Sequence, residues 1–465
     1  MPAIAGAFSR SGRRRRGLAW VGALLLLAAL CGCGETSTSP LLPPVESELL
    51  GVDGRQVLWT TSVATRSAVR YGFVSGEYDR IAYPEASGGE DRVYVRDHSV
   101  PLLSAVAGAP IYIRRTDMTD KGRFYVAAEE TVVFAALPAA APLLKFATLD
   151  VQFGDSHVLM LPSEGKIVMI DAGNPYVQKS GQKAPAHVNQ WLEDVAVTRI
   201  DCAFATHTHA DHYGGFEQGA NDANDGILDL YEIGMWLDVP AVSGNQSAHD
   251  RVIAKVAAKG IQRYVIAPGM TDATDPDALG WDPLVDVTVL NAGSQPQYGG
   301  NINDDSICLK ITYDDVDILT GGDCEAQAEA WMLTHFPQVL HDMEYFKAFH
   351  HGRNDENTRN FLEVIAPRVT VIPIAVSAYD EGPAGGLAAT QDTINRLKGI
   401  GSDVFRFDDA APIGYPNDNQ TFWHTTFVTD GASYEIRIEP SIWGLPVGSG
   451  VAGGPAGQPV TGDES

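Results

Sequence analysis

Thr206-His207-Thr208-His209-Ala210-Asp211-His212-Tyr213-Gly214-Gly215 follows directly on the apolar run Cys202-Ala203-Phe204-Ala205. Three of the chain's 12 histidines fall in this stretch, together with an aspartate. At the end of a strand His207 and His209 point to the same face, because side chains two apart share a side. Asp211 and His212 are expected on the turn that follows, where Gly214-Gly215 lets the backbone bend tightly. Two imidazoles, a carboxylate and a third imidazole would then converge on a volume suited to one or two divalent ions. A solvated His-rich loop could have the same composition, but it would not need the strand, the spacing and the glycine pair together.

The pattern H-x-H-x-D-H resembles the signature of metallo-β-lactamase-fold hydrolases, and further landmarks extend the resemblance over roughly residues 145–375. Leu149-Asp150-Val151-Gln152-Phe153-Gly154-Asp155-Ser156, followed by Ile170-Asp171-Ala172-Gly173, is similar to the family's opening hairpin. Leu319-Thr320-Gly321-Gly322-Asp323 is similar to its T-G-D strand end, with one extra glycine, and Phe349-His350-His351-Gly352 to its H-H-G turn. The combination of L-D-V-x-x-G-D-S, N-D-D-S, T-G-x-D and H-H-G most resembles the hydrolase domain of the ComEC-type DNA-uptake protein. The resemblance implies an α/β fold, the αββα sandwich of that family. It implies Asp171 as a support beneath the histidine loop and Asp323 as a metal-bridging carboxylate. His350 or His351 would supply the last imidazole, the other contacting substrate or a supporting group. One departure matters: many members carry a further histidine where this chain reads Gly300-Asn301-Ile302-Asn303-Asp304-Asp305-Ser306. Either Asn303 or Asp305 completes the first metal site, or that site binds weakly and one ion dominates.

The expected ligands are therefore His207, His209, Asp211, His212, Asp323 and His350 or His351, with Asp211, Asp323, His350 and His351 nearest the chemistry. A divalent ion held by such groups lowers the pKa of its bound water from about 15.7 toward about 7, supplying hydroxide at neutral pH. That hydroxide attacks a carbonyl carbon or a phosphorus, and no side chain acts as nucleophile. The N/O donor set suits zinc best, as one or two ions, with manganese as a substitute. The expected reaction is hydrolysis of a phosphodiester or related phosphoester outside the cytoplasm. The alternatives are a small ester, lactam or thioester as substrate, or a non-catalytic envelope-binding lipoprotein.

Composition narrows these classes. In 465 residues, 45% hydrophobic and 20% charged is ordinary globular usage, which excludes wholesale disorder and a multi-span membrane protein. Lys and Arg number 33 against 59 Asp and Glu, a formal net charge of −26. So acidic a chain repels polyanions, which argues against an extended nucleic-acid footprint and leaves any phosphate to be held by a metal or a local patch. Nothing in the sequence assigns an oligomeric state.

The chain opens with Arg13 to Arg16 and an apolar run from Leu18 to Leu30, too short to span a bilayer. Leu30-Cys31-Gly32-Cys33 resembles a bacterial lipobox with Cys33 as the acylated residue. That implies export and a lipid anchor in the envelope, on the periplasmic face of the outer membrane. Residues 34–48 read as a Pro-containing tether. Residues 49–137 carry short alternating segments (Arg55 to Thr60, Ser67 to Tyr71, Arg92 to Val95, Ile111 to Arg115, Phe124 to Val126), expected to form an all-β sandwich that resembles a fibronectin type III-like module. After the Ala/Pro stretch 136–142, strands alternate with helices over a hydrolase domain at 144–440. Leu149 to Leu161 and Lys166 to Ile170 are read as paired strands. Residues 441–465 are a Gly/Pro-rich tail. Cys202, Cys308 and Cys324, the body's only cysteines, are too few for a disulfide framework and are expected as buried thiols.

Overall fold

The computed structural model describes residues 45–151, 154–175, 178–179, 182–218, 225–353, 355–373, 386–407 and 423–440. The signal segment 1–33 with Cys33, the tether up to residue 44 and the tail 441–465 lie outside the described residues. Among the described residues no helix is long and apolar enough to cross a membrane.

The first part is all strand: β1 (Ser47–Asp53), β2 (Gln56–Gly72), β3 (Arg80–Ala82), β4 (Val95–Pro101), β5 (Pro110–Thr119), β6 (Phe124–Val126) and β7 (Glu130–Val133). The two strands expected at 55–60 and 67–71 are one strand of 17 residues, β2. Its first half pairs with β1 and β4 and its second half with β3 and β5, and the pairing with β4 is interrupted between Thr60 and Thr65. Val57 and Trp59 from one half and Val69 and Tyr71 from the other meet in one core with Val100, Ile111, Ile113 and Phe134. The expected strand at 92–95 is instead a 3-10 turn, Ser87–Arg92, leading into β4.

Next come β8 (Leu144–Thr148), β9 (His157–Met160), β10 (Ile167–Ile170), the two-residue pair β11 (Gln178–Lys179) and β12 (Gln182–Lys183), α1 (Ala184–Asp194), β13 (Arg199–Phe204), α2 (Ala210–Glu217), α3 (Ile227–Leu230), β14 (Glu232–Asp238), α4 (Gln246–Ala258) and β15 (Gln262–Val265). They are followed by α5 (Pro276–Leu279), β16 (Asp286–Asn291), β17 (Cys308–Tyr313), β18 (Val316–Gly321), α6 (Ala326–His335), β19 (Tyr345–Lys347), α7 (Arg359–Ile365), β20 (Val369–Ile372), α8 (Gly386–Gly399), β21 (Asp403–Arg406), β22 (Trp423–Thr429) and β23 (Tyr434–Pro440). In the segment read as strand from Leu149, the described residues 149–151 and 154–156 are not strand, and β9 begins only at His157; the hairpin β22–β23 had no counterpart in the sequence reading.

Two sheets face one another, one ordered β15-β14-β13-β10-β9-β8-β22-β23 and the other β16-β17-β18-β19-β20-β21. Their central strands are apolar on both faces, as strands covered on both sides must be. Val168 and Ile170 of β10 and Ile318 of β18 point into the core between the sheets. Met169 and Ala203 face outward onto Val188 and Leu192 of α1, Phe216 of α2 and Val252 and Val256 of α4. On the other side Leu319 and Phe346 pack on Met332 of α6, Phe361 and Leu362 of α7 and Leu397 of α8. The layers are helix, sheet, sheet, helix. Cys202, Cys308 and Cys324 are buried and unpaired to one another by disulfide.

The β-rich first part does not stand apart from the body that follows. β3 pairs with β23, which pairs with β22, which pairs with β8, so the first sheet runs on into the N-terminal strands. The Arg92 guanidinium donates to the carbonyls of Ala366 and Met343 and to Glu344 Oε1 at 2.9 Å, while Arg368 Nε donates to Asp91 O at 3.1 Å. The hairpin that joins the two parts was the one missing from the sequence reading, which is why residues 49–137 looked separable.

Candidate metal centre

Most of the residues singled out by the resemblance follow the end of a central strand. β10 delivers Asp171, β13 delivers His207 and His209, β18 delivers Asp323, and β19 delivers His350 and His351. In layered α/β folds the carboxyl ends of the strands are where loops can converge on a ligand.

Asp211 and His212 are not on a turn but in the first turn of α2. Gly215 therefore serves close packing rather than bending: a Cβ there would come within 2.0 Å of Ala172 O. The additional glycine of the T-G-G-D stretch has a similar reason, since a Cβ on Gly322 would lie 2.3 Å from Thr206 Oγ1. Asp171 accepts from Thr206 N at 2.7 Å and Thr206 Oγ1 at 2.8 Å, which pins the start of the histidine loop. Its second oxygen also lies 2.9 Å from His212 Nδ1, so that nitrogen carries the proton and Nε2 is turned into the pocket.

Asp211, His212, Asp323 and His351 bring one potential ligand atom each within 4.8 Å of one another, and so do His207, His209 and Asp323. Asp323 belongs to both groups. His212 Nε2 is 3.2 Å from Asp323 Oδ2, His351 Nε2 is 3.6 Å from it and His207 Nε2 3.8 Å. The pair His350 and His351, left open by the sequence, divides: His351 faces Asp211 at 3.4 Å, whereas His350 groups with Glu325 and Glu356. Both take left-handed backbone angles, with φ of 48° and 53°, a strain of the kind that collects at functional turns.

The electrostatics describe a pocket built for positive charge. Burial opposes charge on His212, yet Asp323, Asp171 and Asp211 together hold its pKa well above the ordinary histidine value. Burial likewise opposes charge on His351, but Asp323 and Asp155 push its pKa up to about 9. Asp211 is buried, and His212 and His351 draw it down to about 2. Asp323 Oδ1 and His212 Nε2 are buried with no hydrogen-bond partner. Such atoms are costly unless something pairs with them. Convergent imidazoles and carboxylates with orphaned inward-facing atoms fit a divalent ion.

The stretch 301–306, expected to replace the missing histidine, is occupied otherwise. Asp305 accepts from Ser243 N and from Ser243 Oγ at 2.7 Å, and it belongs to neither ligand group. Asn303 donates Nδ2 to Glu325 Oε1 at 2.7 Å. Asp304 accepts from Glu325 N at 2.9 Å and Ala328 N at 3.2 Å, fastening the start of α6. Ser306 Oγ accepts from Asp323 N at 2.9 Å. Among the described residues, the group of His207, His209 and Asp323 has no fourth His, Cys, Asp or Glu.

The metallo-beta-lactamase superfamily matches the chain over residues 151–375. Those residues form a metallo-beta-lactamase superfamily domain. With the buried His/Asp groups intact, the protein is a metallohydrolase of this fold. No curated protein matches the chain. Among solved structures, unliganded yeast PDE1 is 11% identical, covering 57% of this chain and 97% of its own, with a TM-score of 0.32. Purple acid phosphatase PPD1 from yellow lupin (Lupinus luteus) seeds is 10% identical, covering 88% and 77%, with a TM-score of 0.22. At these scores neither likeness informs the fold or the activity.

The sequence reading gave no role to Asp155, Lys347, Glu325 or Glu356, all of which touch this centre. Asp155 was visible in the G-D-S of the opening motif, but Lys347 and Glu356 stand in no pattern that marks them.

Proposed function

We propose that the protein hydrolyses a phosphodiester or related phosphoester at this centre. The observation that carries the reading is the pair of ligand groups sharing Asp323, because residues able to hold two neighbouring cations would suit displacement at phosphorus, where attacking and leaving oxygens both need stabilising. Divalent ions held there, zinc or manganese, would supply Lewis acidity and a water acidified toward neutrality. His207, His209, Asp211, His212, Asp323 and His351 would hold them.

His350 stands at the side of the pocket, where it would face the departing group of a bound substrate. Glu356 Oε1 lies 2.8 Å from its Nδ1, fixing the ring, and its Nε2 lies 3.6 Å from Asp323 Oδ2 at the side of the pocket. Arg353 Nη1 lies 3.2 Å from the same Nε2 and offers an exposed guanidinium to an anionic substrate. It is the kind of local basic patch that a chain of net charge −26 needs if it is to bind phosphate. The same acidity favours a small phosphoester over an extended nucleic acid. The likeness of the four motifs to the ComEC-type hydrolase domain supports a phosphodiester as the bond cleaved, though not a small substrate over a nucleic acid. We further propose that the chain is exported and anchored through Cys33 on the periplasmic face of the outer membrane.

The test is a substrate panel with zinc- or manganese-loaded protein: bis-p-nitrophenyl phosphate, p-nitrophenyl phosphate, single-stranded DNA, a chromogenic lactam and a thioester. Turnover greatest on the phosphodiester, and lost in Asp323→Ala, supports the reading. Turnover confined to the lactam or thioester overturns it.

A further inference from the structure

Beneath the metal centre lies a buried ion pair that the hydrolytic chemistry does not use. Asp155 and Lys347 have fully buried side chains and contact each other directly. Lys347 Nζ also donates to Gly321 O and Gly322 O, both at 2.9 Å, the two carbonyls just before Asp323. Asp155 Oδ1 lies 3.1 Å from His351 Nδ1. Its backbone N donates to Asp211 O at 3.1 Å, and its carbonyl accepts from Gly173 N at 2.8 Å. These two residues thus touch, through side chain or backbone, the segments that carry Asp211, Asp323 and His351, three of the four residues in the larger ligand group.

Removing two opposite charges from water is costly, and apolar residues of similar volume usually serve stability as well or better. A pair kept in such a place calls for a reason other than stability, and the geometry offers one. A carboxylate facing Nδ1 fixes the proton there and leaves Nε2, the nitrogen facing Asp211 and Asp323, as the donor to an ion. The ammonium keeps that carboxylate turned to His351 and at the same time holds the turn that presents Asp323.

We propose that Asp155 and Lys347 form a positioning pair for the ion bound by Asp211, His212, Asp323 and His351, acting through the tautomer of His351 and the backbone before Asp323. The proposal rests on the metal-centre reading above. It goes beyond that reading by giving the two ions unequal dependence on a residue pair that touches neither substrate nor metal.

The test uses the isosteric double variant Asp155→Asn/Lys347→Met, which removes both charges at once and leaves neither unpaired. Zinc stoichiometry is measured by native mass spectrometry, affinity by chelator competition, and the His351 tautomer by nitrogen NMR of the loaded protein. In the unaltered protein His351 is expected as the Nδ1–H form. In the double variant the affinity for one of the two ions should fall about 10- to 100-fold, the range seen when such supporting partners of a ligand are lost, while the other is retained. A folded double variant that holds both ions with unchanged affinity would overturn the proposal. So would an Nε2–H tautomer of His351 in the unaltered protein, a result that stands even where the variant fails to fold. If the unaltered protein binds no zinc at all, the metal-centre reading itself fails, which is a different outcome from either of these.

Discussion

Two of the places where the molecule sets a buried histidine beside aspartate contrast in a way that shows what makes a buried polar cluster a cation site. In the N-terminal strands His98 stacks on Trp59 with ring centroids 4.9 Å apart, and its Nε2 meets Thr61 Oγ1 at 3.1 Å and Thr65 Oγ1 at 3.0 Å. One buried aspartate, Asp117, lies 3.9 Å away and accepts from Trp59, Thr65 and Ser67. Burial there outweighs that carboxylate, and the pKa of His98 is lowered. His212 is at least as deeply buried, yet four aspartates approach it: Asp171 at 2.9 Å, Asp323 at 3.2 Å, Asp155 at 3.7 Å and Asp211 at 3.9 Å. There the carboxylates win and the pKa rises. A histidine with hydroxyl partners and one acid completes a neutral network. A histidine ringed by acids awaits positive charge.

The sharpest way to separate the clusters is to delete one member of each. Asp323→Ala should lower kcat/KM by about a thousandfold or more, roughly 4 kcal/mol of transition-state stabilisation, and reduce bound zinc, as steady-state kinetics and elemental analysis will register. His98→Ala should leave metal content and kcat unchanged and instead reduce unfolding stability by about 1–3 kcal/mol in urea titration.

pH distinguishes the two next. In the metal-free protein His212 and His351 hold protons at neutral pH, since the pKa of His351 stands near 9. Ion binding must displace those protons, so affinity should climb as pH rises toward about 9 and fall on acidification. Calorimetry in buffers of different ionisation enthalpy would detect the released protons. The pKa of His98 is shifted the other way, and its effect falls on folding stability instead of ion affinity. Its folded pKa lies below the ordinary value, so the network's contribution is present above about pH 6.5 and is lost as pH falls below it. Melts between pH 7 and 5, comparing the parent with His98→Ala, would expose that slope.

Ligand also acts on stability: zinc at about 100 times its Kd should add about 2.7 kcal/mol per site, and in Asp323→Ala much of that gain should disappear. Smallest is Asp305→Asn, which should leave zinc content unaltered within error, because Asp305 holds Ser243 rather than an ion.

The sequence revealed much of this centre because its ligands sit in short motifs at strand ends, where spacing alone sets direction. His207 and His209 are two apart on one strand end, and His350 and His351 are adjacent. What adjacency could not reveal is which of the latter faces the ions, since that depends on two successive left-handed residues. Asp305 looked like a substitute ligand by position, but a carboxylate follows its nearest donors, here Ser243, which lies far away in sequence. Lys347 reads in sequence as a lone cation closing an apolar strand, and only the fold brings Asp155 and two carbonyls to it. The N-terminal part shows a related limit. Tyr434-Glu435-Ile436-Arg437-Ile438-Glu439 alternates apolar and polar residues as a strand does, but alternation says nothing of the partner, and only the fold shows that this hairpin carries the first sheet across to β3.

The most direct test of the central claim is anomalous diffraction at the zinc edge from crystals grown with zinc. The account predicts two peaks flanking Asp323, one within ligand distance of His207 and His209 and one within ligand distance of Asp211, His212 and His351. Fully ordered side chains at those positions with no anomalous peak beside Asp323 would contradict it.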